Sequence, residues 1–264
     1  MLRPRIIPCL LVHEGGLVKT VRFRDPKYVG DPINAVKIFN EKEADELMVL
    51  DIDATALGRE PNLRLIAQFA AECRMPLCYG GGIKTVQQAR NIIGLGVEKV
   101  AVSSAALADP QLVSAMAAEI GSQSVVVVLD VKKTLLGKYE VWTHNARNNT
   151  GRSPIEVARQ AEQLGAGEIV VNSIDHDGQM KGYDLALAAK VREAVNLPMT
   201  VLGGAGSLAD LGRLISSCGV VGAAAGSLFV FKGTYRAVLI SYPDPAQRAE
   251  LLRTALENGT GRQT

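Results

Sequence analysis

Eight short apolar runs recur along the chain, and segments of helical periodicity lie between them. The runs are nearly continuous in β-branched and aliphatic residues, which is typical of strands buried on both faces of a parallel sheet. Eight β/α units in 264 residues match the size of an α/β fold of the (β/α)8 TIM-barrel type. A doubly wound open sheet is the alternative, although it usually has fewer strands. The predicted strands are residues 5–12, 46–52, 76–80, 99–104, 124–131, 168–174, 198–204 and 220–226.

The two halves of the chain repeat each other. DELMVLDID at 45–53 aligns with GEIVVNSID at 167–175, and LCYGGGIKT at 77–85 aligns with TVLGGAGSL at 200–208. Because the order and the offset are kept, we predict one domain, residues 1–264, built from two fused half-barrels at about 1–120 and 121–240. An alternating segment, 135–151, predicts a hairpin after the fifth strand. The tail, 243–264, is poorly patterned and is expected to be loose.

Charge and composition exclude several function classes. The formal net charge is +2 and no basic block stands out, so neither a nucleic acid nor a membrane is an expected partner. The four cysteines form no CxxC pair, and only three histidines are present, so we expect no metal and no redox cofactor. The apolar part of the N-terminus is too short for a signal peptide or a membrane span. Scattered thiols fit a reducing compartment, and the expected location is cytoplasmic.

Two glycine-rich turns follow the third and seventh predicted strands, at matching places in the repeat. Glycine lets backbone N–H groups approach an anion closely. The strands that come next along the chain each end in small residues that lead into a helix. Plain turn chemistry is the alternative, but two such turns across one barrel mouth predict a ligand with a phosphate at each end. The candidate phosphate-binding residues are Gly81, Gly82, Ser103, Ser104, Gly203, Gly204, Gly226 and Ser227.

Several motifs resemble one family closely. RIIPCL, VLDI at 49–52, YGGGI, GSQSVVVVLDV at 121–131, SIDHDG at 173–178 and GGAG resemble the HisF family, the cyclase subunit of imidazole glycerol phosphate synthase. The resemblance implies a bisphosphate substrate across the mouth, and ammonia from a HisH-like glutaminase subunit at the N-terminal face. It also implies catalytic carboxylates at the ends of the first and fifth strands. Asp130 matches the second of these carboxylates, Asp177 matches a substrate-site acid, and Lys19 matches a loop lysine.

The chain departs from that pattern at Leu11, where the family has its first catalytic carboxylate. Leucine cannot transfer a proton, and one general acid or base is worth roughly 10²–10⁴ in rate. We therefore expect Asp130 and Asp177 to be the catalytic carboxylates, with ring closure weakened or lost. The alternative for Asp130 is a structural carboxylate that accepts hydrogen bonds from loop N–H groups.

Four charged residues of alternating sign, Arg5, Glu46, Lys99 and Glu168, stand at the beginnings of predicted strands. Charge at this end of a barrel normally concerns stability, so a closed salt-bridge layer is one interpretation. The resemblance implies another, because these positions form the charged gate through which ammonia enters the barrel in the HisF family. We predict that this ammonia gate is retained.

Three functions remain open. The first is an ammonia-delivering subunit in the acetamidino modification of a sugar of surface polysaccharide. PKYVGDPINAVKIFNEKE at 26–43, REPN at 59–62 and AGSLFVFKG at 225–233 resemble a HisF branch linked to that role, which implies an ATP-using sugar amidotransferase as a further partner. The second is a true cyclase that makes imidazole glycerol phosphate for histidine biosynthesis. The third is a non-catalytic scaffold.

Overall fold

The computed structural model describes residues 3–260. The strands of this part are β1 (Arg5–His13), β2 (Gly16–Val21), β3 (Arg24–Gly30), β4 (Leu47–Asp51), β5 (Leu77–Gly80), β6 (Lys99–Val102), β7 (Val125–Lys133), β8 (Tyr139–Thr143), β9 (Asn148–Asn149), β10 (Glu168–Ser173), β11 (Met199–Leu202), β12 (Gly222–Ala225), β13 (Phe231–Lys232) and β14 (Ala237–Val238). The α-helices are α1 (Pro32–Glu41), α2 (Leu63–Glu72), α3 (Val86–Gly94), α4 (Ser104–Ala108), α5 (Gln111–Ile120), α6 (Pro154–Gln163), α7 (Leu185–Ala194), α8 (Leu208–Cys218), α9 (Ser227–Val230) and α10 (Pro245–Thr260).

Eight parallel strands close into a barrel in the order β1, β4, β5, β6, β7, β10, β11, β12. The barrel closes because β12 pairs with β1, where Gly222 lies beside Arg5. On the opposite side β10 pairs with β7 and places Asn172 beside Asp130. The prediction of a (β/α)8 TIM barrel is confirmed. Six of the eight strands fall within their predicted runs, while β1 extends past its run to His13 and β7 extends past its run to Lys133.

Apolar side chains fill both sides of the barrel wall. The larger cluster packs the outer face of the strands against the helices, which explains why the strands are apolar without interruption. A smaller cluster fills the barrel interior, so the barrel is a packed core rather than an open pore. The interior cluster consists of Ile7, Cys9, Met48, Cys78, Ala101, Val126, Val128, Val170, Leu202 and Ala224, with Leu11 and Leu50 partly buried against it.

The helices begin where the sequence provides capping residues. Ser153 caps α6 by accepting a hydrogen bond from the Ile155 backbone N–H, with Pro154 in the first turn, as the Ser-Pro pair predicts. Thr85 and Gln88 form a reciprocal capping box at the start of α3. Among the described residues, no helix is long and apolar enough to cross a membrane.

Two antiparallel hairpins extend the sheet beyond the barrel. The predicted hairpin after the fifth barrel strand is present, with β8 paired to β7 and β9 paired to β8. A second hairpin, β2 and β3, follows β1 and was not predicted. Its outer strand carries Pro26 and is mostly exposed, so it lacks the apolar run by which the other strands were recognised.

The expectation of a loose tail was wrong for most of its length, because α10 forms there and packs against α8. Ala255 on α10 is buried, and its carbonyl accepts a hydrogen bond of 2.8 Å from the Ser216 hydroxyl. Just before α10, Tyr242 donates a 2.9 Å hydrogen bond to the Ile6 carbonyl oxygen. These contacts anchor the segment to the barrel. The last four positions of the predicted tail lie outside the described residues.

Candidate active site at the mouth of the barrel

A cavity of about 750 Å³ opens at the carboxyl ends of the barrel strands, where the active sites of (β/α)8 enzymes lie. The glycine turns follow β5 and β11, the small residues follow β6 and β12, and the carboxylates come from β7 and from the loop after β10. The predicted residues that the structure brings together here are Lys19, Gly81, Gly82, Ser103, Ser104, Asp130, Asp177, Gly203, Gly204, Gly226 and Ser227.

Both glycine turns require glycine because the backbone approaches other segments closely. Gly81 has a φ of 127°, and a Cβ there would lie 2.5 Å from the Asp51 carbonyl oxygen. Gly204 has a φ of 112°, and a Cβ there would lie 2.1 Å from the Gly182 carbonyl oxygen. The positive φ and the close approach of the neighbouring backbone therefore explain both glycines without a ligand. The Ser103 hydroxyl differs, because it is buried without a hydrogen-bond partner among the described residues. A ligand at this turn would satisfy it.

Asp130 lies near the end of β7 and faces the mouth. The Asn172 side-chain amide donates a 2.9 Å hydrogen bond to Asp130 Oδ1. Burial raises the pKa of Asp130 to about 7; the Asn172 hydrogen bond opposes the shift, and the charge of Asp177 adds to it. A carboxyl group with a pKa near neutrality can both donate and accept a proton under ordinary conditions, which suits general acid–base chemistry.

Asp177 is engaged with the β2–β3 hairpin. Its Oδ2 accepts hydrogen bonds from the Thr20 hydroxyl at 2.7 Å and from the Phe23 backbone N–H at 3.0 Å. Burial raises the pKa of Asp177, while these hydrogen bonds and the charge of Lys19 hold the increase down. Asp177 therefore joins the β2–β3 hairpin to the loop after β10, in addition to lining the cavity.

Lys19 brings a buried amine into the same mouth from β2. Its Nζ donates a 2.6 Å hydrogen bond to the Cys9 carbonyl oxygen, and a Cβ on Gly226 would lie 2.7 Å from it. Burial lowers the pKa of Lys19, whereas Asp177 favours the charged form. The amine thus lies beside the turn after β12, where it can neutralise an anion bound there.

Leu11 occupies the place in β1 where the resembling family has an acid. Its neighbours in register are Leu50 on β4 and Val18 on β2, and its side chain packs on the interior cluster while lining the cavity. The side of the mouth on which Leu11 lies is therefore aliphatic. A carboxylate at this position would be poorly solvated unless a ligand or Lys19 paired with it.

The raised pKa of Asp130 predicts how the free energy of unfolding changes with pH. The neutral form is favoured in the folded state, so the contribution of Asp130 is fully present below its unfolded pKa and is lost as the pH rises from about 4 to about 7. Above pH 7, the free energy of unfolding of Asp130→Asn is expected to exceed that of the native chain by about 2 kcal/mol. This is roughly half of the free energy equivalent to the whole pKa shift, because solvent reaches part of the carboxyl group. Urea unfolding across the pH range measures this, and equal curves at pH 8 would contradict it.

The four predicted charges meet in a closed ring at the opposite end of the barrel. Glu168 accepts hydrogen bonds from Arg5 at 2.7 Å and from Lys99 at 2.9 Å. Glu46 accepts one from Lys99 at 2.8 Å and pairs with Arg5 on its other side. Both glutamates are almost fully buried. The ring spans the barrel floor beneath the interior cluster, and each cation contacts both anions.

The sequence did not point to His144 or Asn145, yet both residues line the mouth. Asn145 Nδ2 donates a 2.6 Å hydrogen bond to the Ile52 carbonyl oxygen, which ties the hairpin after β7 to the loop after β4. Neither residue type nor spacing signals this position. The alternating pattern of the hairpin was the one available signal, and it did not show where the turn would fold.

Comparisons with known proteins agree with this architecture. The family model described as "Histidine biosynthesis protein" matches residues 5–236. A Leptospira interrogans protein, provisionally named imidazole glycerol phosphate synthase subunit HisF, is 58% identical over 95% of this chain and 99% of its own length. A Vibrio vulnificus protein with the provisional name subunit hisF3 is 57% identical over 96% of this chain and 97% of its own. Imidazole glycerol phosphate synthase subunit HisF of Alkaliphilus metalliredigens is 41% identical over 87% of this chain and 91% of its own. The chain therefore belongs to the HisF family.

Proposed function

We propose that this chain is a HisF-like subunit that takes ammonia from a HisH-like glutaminase at the floor of the barrel and delivers it at the mouth. One contrast carries the proposal. The floor keeps a complete ring of Arg5, Glu46, Lys99 and Glu168, while the mouth has Leu11 where a ring-closing enzyme has an acid. A chain with the receiving end intact and the cyclising end altered suits delivery of ammonia to another acceptor.

The acceptor that we propose is a sugar, amidated to an acetamidino group during surface polysaccharide synthesis. This part rests on the resemblance of residues 26–43, 59–62 and 225–233 to a branch of the family linked to that modification. An ATP-using sugar amidotransferase would then be a further partner, because forming an amidine from an amide needs an activated carbonyl. The glycine turns after β5 and β11 would bind a phosphorylated substrate or a phosphorylated regulator.

A true cyclase for histidine biosynthesis is the second candidate. Its supporting observation is the mouth itself, where Asp130 has a pKa of about 7 and Lys19, Asp177 and both glycine turns line one cavity. Under this hypothesis Asp130 works alone or with Asp177, and ring closure proceeds with one carboxylate fewer. If the chain were a non-catalytic scaffold, substituting Asp130 or a residue of the floor ring would not change the activity of the complex.

The proposal predicts a functional complex with a HisH-like glutaminase subunit from the same organism. Adding the purified chain is expected to stimulate glutamine hydrolysis by roughly 5–150-fold, the range of a typical coupling free energy between two sites. Lys99→Met removes a ring cation at the floor and is expected to reduce this stimulation. Lys138→Met makes the same chemical change at an exposed position of the other end and serves as the matched control. An unstimulated glutaminase that forms no complex would contradict the proposal.

A further inference from the structure

A strained turn of three residues lies at the mouth of the barrel. His144, Asn145 and Ala146 are three consecutive non-glycine residues with φ values of 53°, 54° and 59°, and the Arg147 backbone N–H closes the turn on the Thr143 carbonyl oxygen at 3.1 Å. Left-handed backbone at non-glycine residues is unfavourable and concentrates at functional sites. We call residues 144–146 the strap. It directly follows β8, and the side chain of its middle residue, Asn145, fixes it by donating a hydrogen bond to the Ile52 carbonyl oxygen.

The strap lies above one specific part of the mouth. It extends from the hairpin that follows β7, and it is tied to the residue that follows β4. Since β5 and β6 lie between those two strands in the barrel, the hydrogen bond from Asn145 to Ile52 bridges the side of the mouth where β5 and β6 end. Those ends carry the glycine turn with Gly81 and Gly82, and Ser103 with its unpartnered hydroxyl.

The hydrogen bonds of His144 determine which ring nitrogen is available to a ligand. Nδ1 lies 3.0 Å from the Thr143 hydroxyl and 3.4 Å from Nδ2 of Asn148. A side-chain amide nitrogen only donates, so Nδ1 accepts and the neutral ring carries its proton on Nε2. The ring lines the cavity and Nδ1 is bound within the hairpin, which leaves the Nε2–H as a donor for an acceptor in the cavity.

We infer that His144 is a ligand-binding residue that completes, from above, the anion site after β5 and β6. A phosphate monoester bound there would accept hydrogen bonds from the turn at Gly81 and Gly82, from the Ser103 hydroxyl and from His144 Nε2. The inference rests on the phosphorylated ligand of the proposed function, and it holds whether that ligand is a substrate or a regulator. A phosphate bound in this way would explain both the strained backbone of the strap and the unpartnered hydroxyl of Ser103.

The other two histidines provide internal controls. His13 contacts Asp53 at 2.7 Å, and His176 contacts the Ser173 hydroxyl at 2.9 Å. Neither lines the cavity. Because the chain has only three histidines, each imidazole can be followed separately in a single nitrogen-15 spectrum.

The first test is a titration of the histidine-labelled chain with inorganic phosphate, followed by NMR. We expect the Nε2–H tautomer at His144 before addition, and a shift of its resonances that saturates together with the backbone amide of Gly82. The resonances of His13 and His176 should stay in place. A shift at Gly82 without one at His144 would overturn the inference while leaving the phosphate site intact. No shift at either place would overturn both the inference and the phosphate site of the proposed function, yet leave glutaminase activation untouched.

Variants give the second test. His144→Ala is expected to raise the Kd for inorganic phosphate by about tenfold or more, the loss expected for one hydrogen bond to a charged group. His144→Gln keeps a donor near the Nε2 position and should recover part of the affinity. His13→Ala should bind phosphate as the native chain does. Equal affinity in all four proteins would overturn the inference, and so would a loss in His144→Gln as large as that in His144→Ala.

Discussion

With excess ammonium salt and the bisphosphate substrate of imidazole glycerol phosphate synthase, the native chain is expected to form product roughly 10²–10⁴-fold more slowly than a cyclase with two catalytic carboxylates. The reason is Leu11, which removes one proton-transferring group from the mouth. Ammonium salt replaces the glutaminase partner, so the assay reports on the mouth alone. The rate is measured as imidazole glycerol phosphate formed by the purified chain.

Leu11→Asp is the informative variant, and Leu11→Asn is its matched control because it has nearly the same size without an acidic group. A gain in rate by the aspartate alone would show that the phosphate turns still hold the bisphosphate in a reactive position. No gain, with both variants folded, would mean that the mouth has changed beyond this one residue. A native rate equal to that of ordinary cyclases would overturn the proposed function and leave the histidine enzyme as the answer.

The geometry explains why neighbouring groups are poor substitutes for the missing acid. Asp177 is held in place by hydrogen bonds from Thr20 and Phe23. The Lys19 amine is bound to the Cys9 carbonyl oxygen. Either group would have to give up existing contacts to reach the side of the mouth where Leu11 lies. Asp130 remains as an acid–base group at the mouth, with burial raising its pKa to about 7.

The barrel was predictable because its strands are buried on both faces. Apolar runs such as 124–131 cannot occupy an exposed position, and the glycine turns after β5 and β11 show where the strands end. The candidate phosphate residues follow from those turns, so the structure brings all of them to one cavity. The grouping of the four floor charges followed from the same reasoning, because equivalent positions in parallel strands lie at the same level of the barrel.

Other features depended on contacts that no local pattern records. The strand β3 is mostly exposed and forms because β2 pairs with it. The helix α10 has a weak amphipathic pattern and is fixed by a few contacts, including the hydrogen bond from Ser216 to Ala255. His144 enters the cavity because the strap adopts left-handed backbone at three successive non-glycine residues, a run that no residue pattern predicts. Tertiary contacts therefore determined each of these features.

The ring at the floor predicts a large loss of stability when one anion is removed. Glu168 accepts hydrogen bonds from Arg5, Lys99 and the buried Thr200 hydroxyl. Glu168→Ala would leave two part-buried cations facing a single glutamate. Breaking a buried ion pair in this way costs about 3–5 kcal/mol, measured as the free energy of unfolding in urea. Glu250→Ala breaks a solvent-exposed pair with Arg253 on α10 and should leave the unfolding curve unchanged.

The pH dependence separates the charge of Glu168 from its packing. Burial opposes the charged form, but Arg5 and Lys99 outweigh it, so the pKa of Glu168 lies below its usual value. A lowered pKa means that the stabilisation is present above the unfolded pKa of about 4.5 and is lost as the pH falls through the lower folded value. The difference between the native chain and Glu168→Gln should therefore be constant near neutrality and shrink in acid. A difference that stayed the same down to pH 3 would mean that packing, rather than charge, stabilises the floor of the barrel. That result would contradict the interpretation of the ring as an ammonia gate that depends on charge.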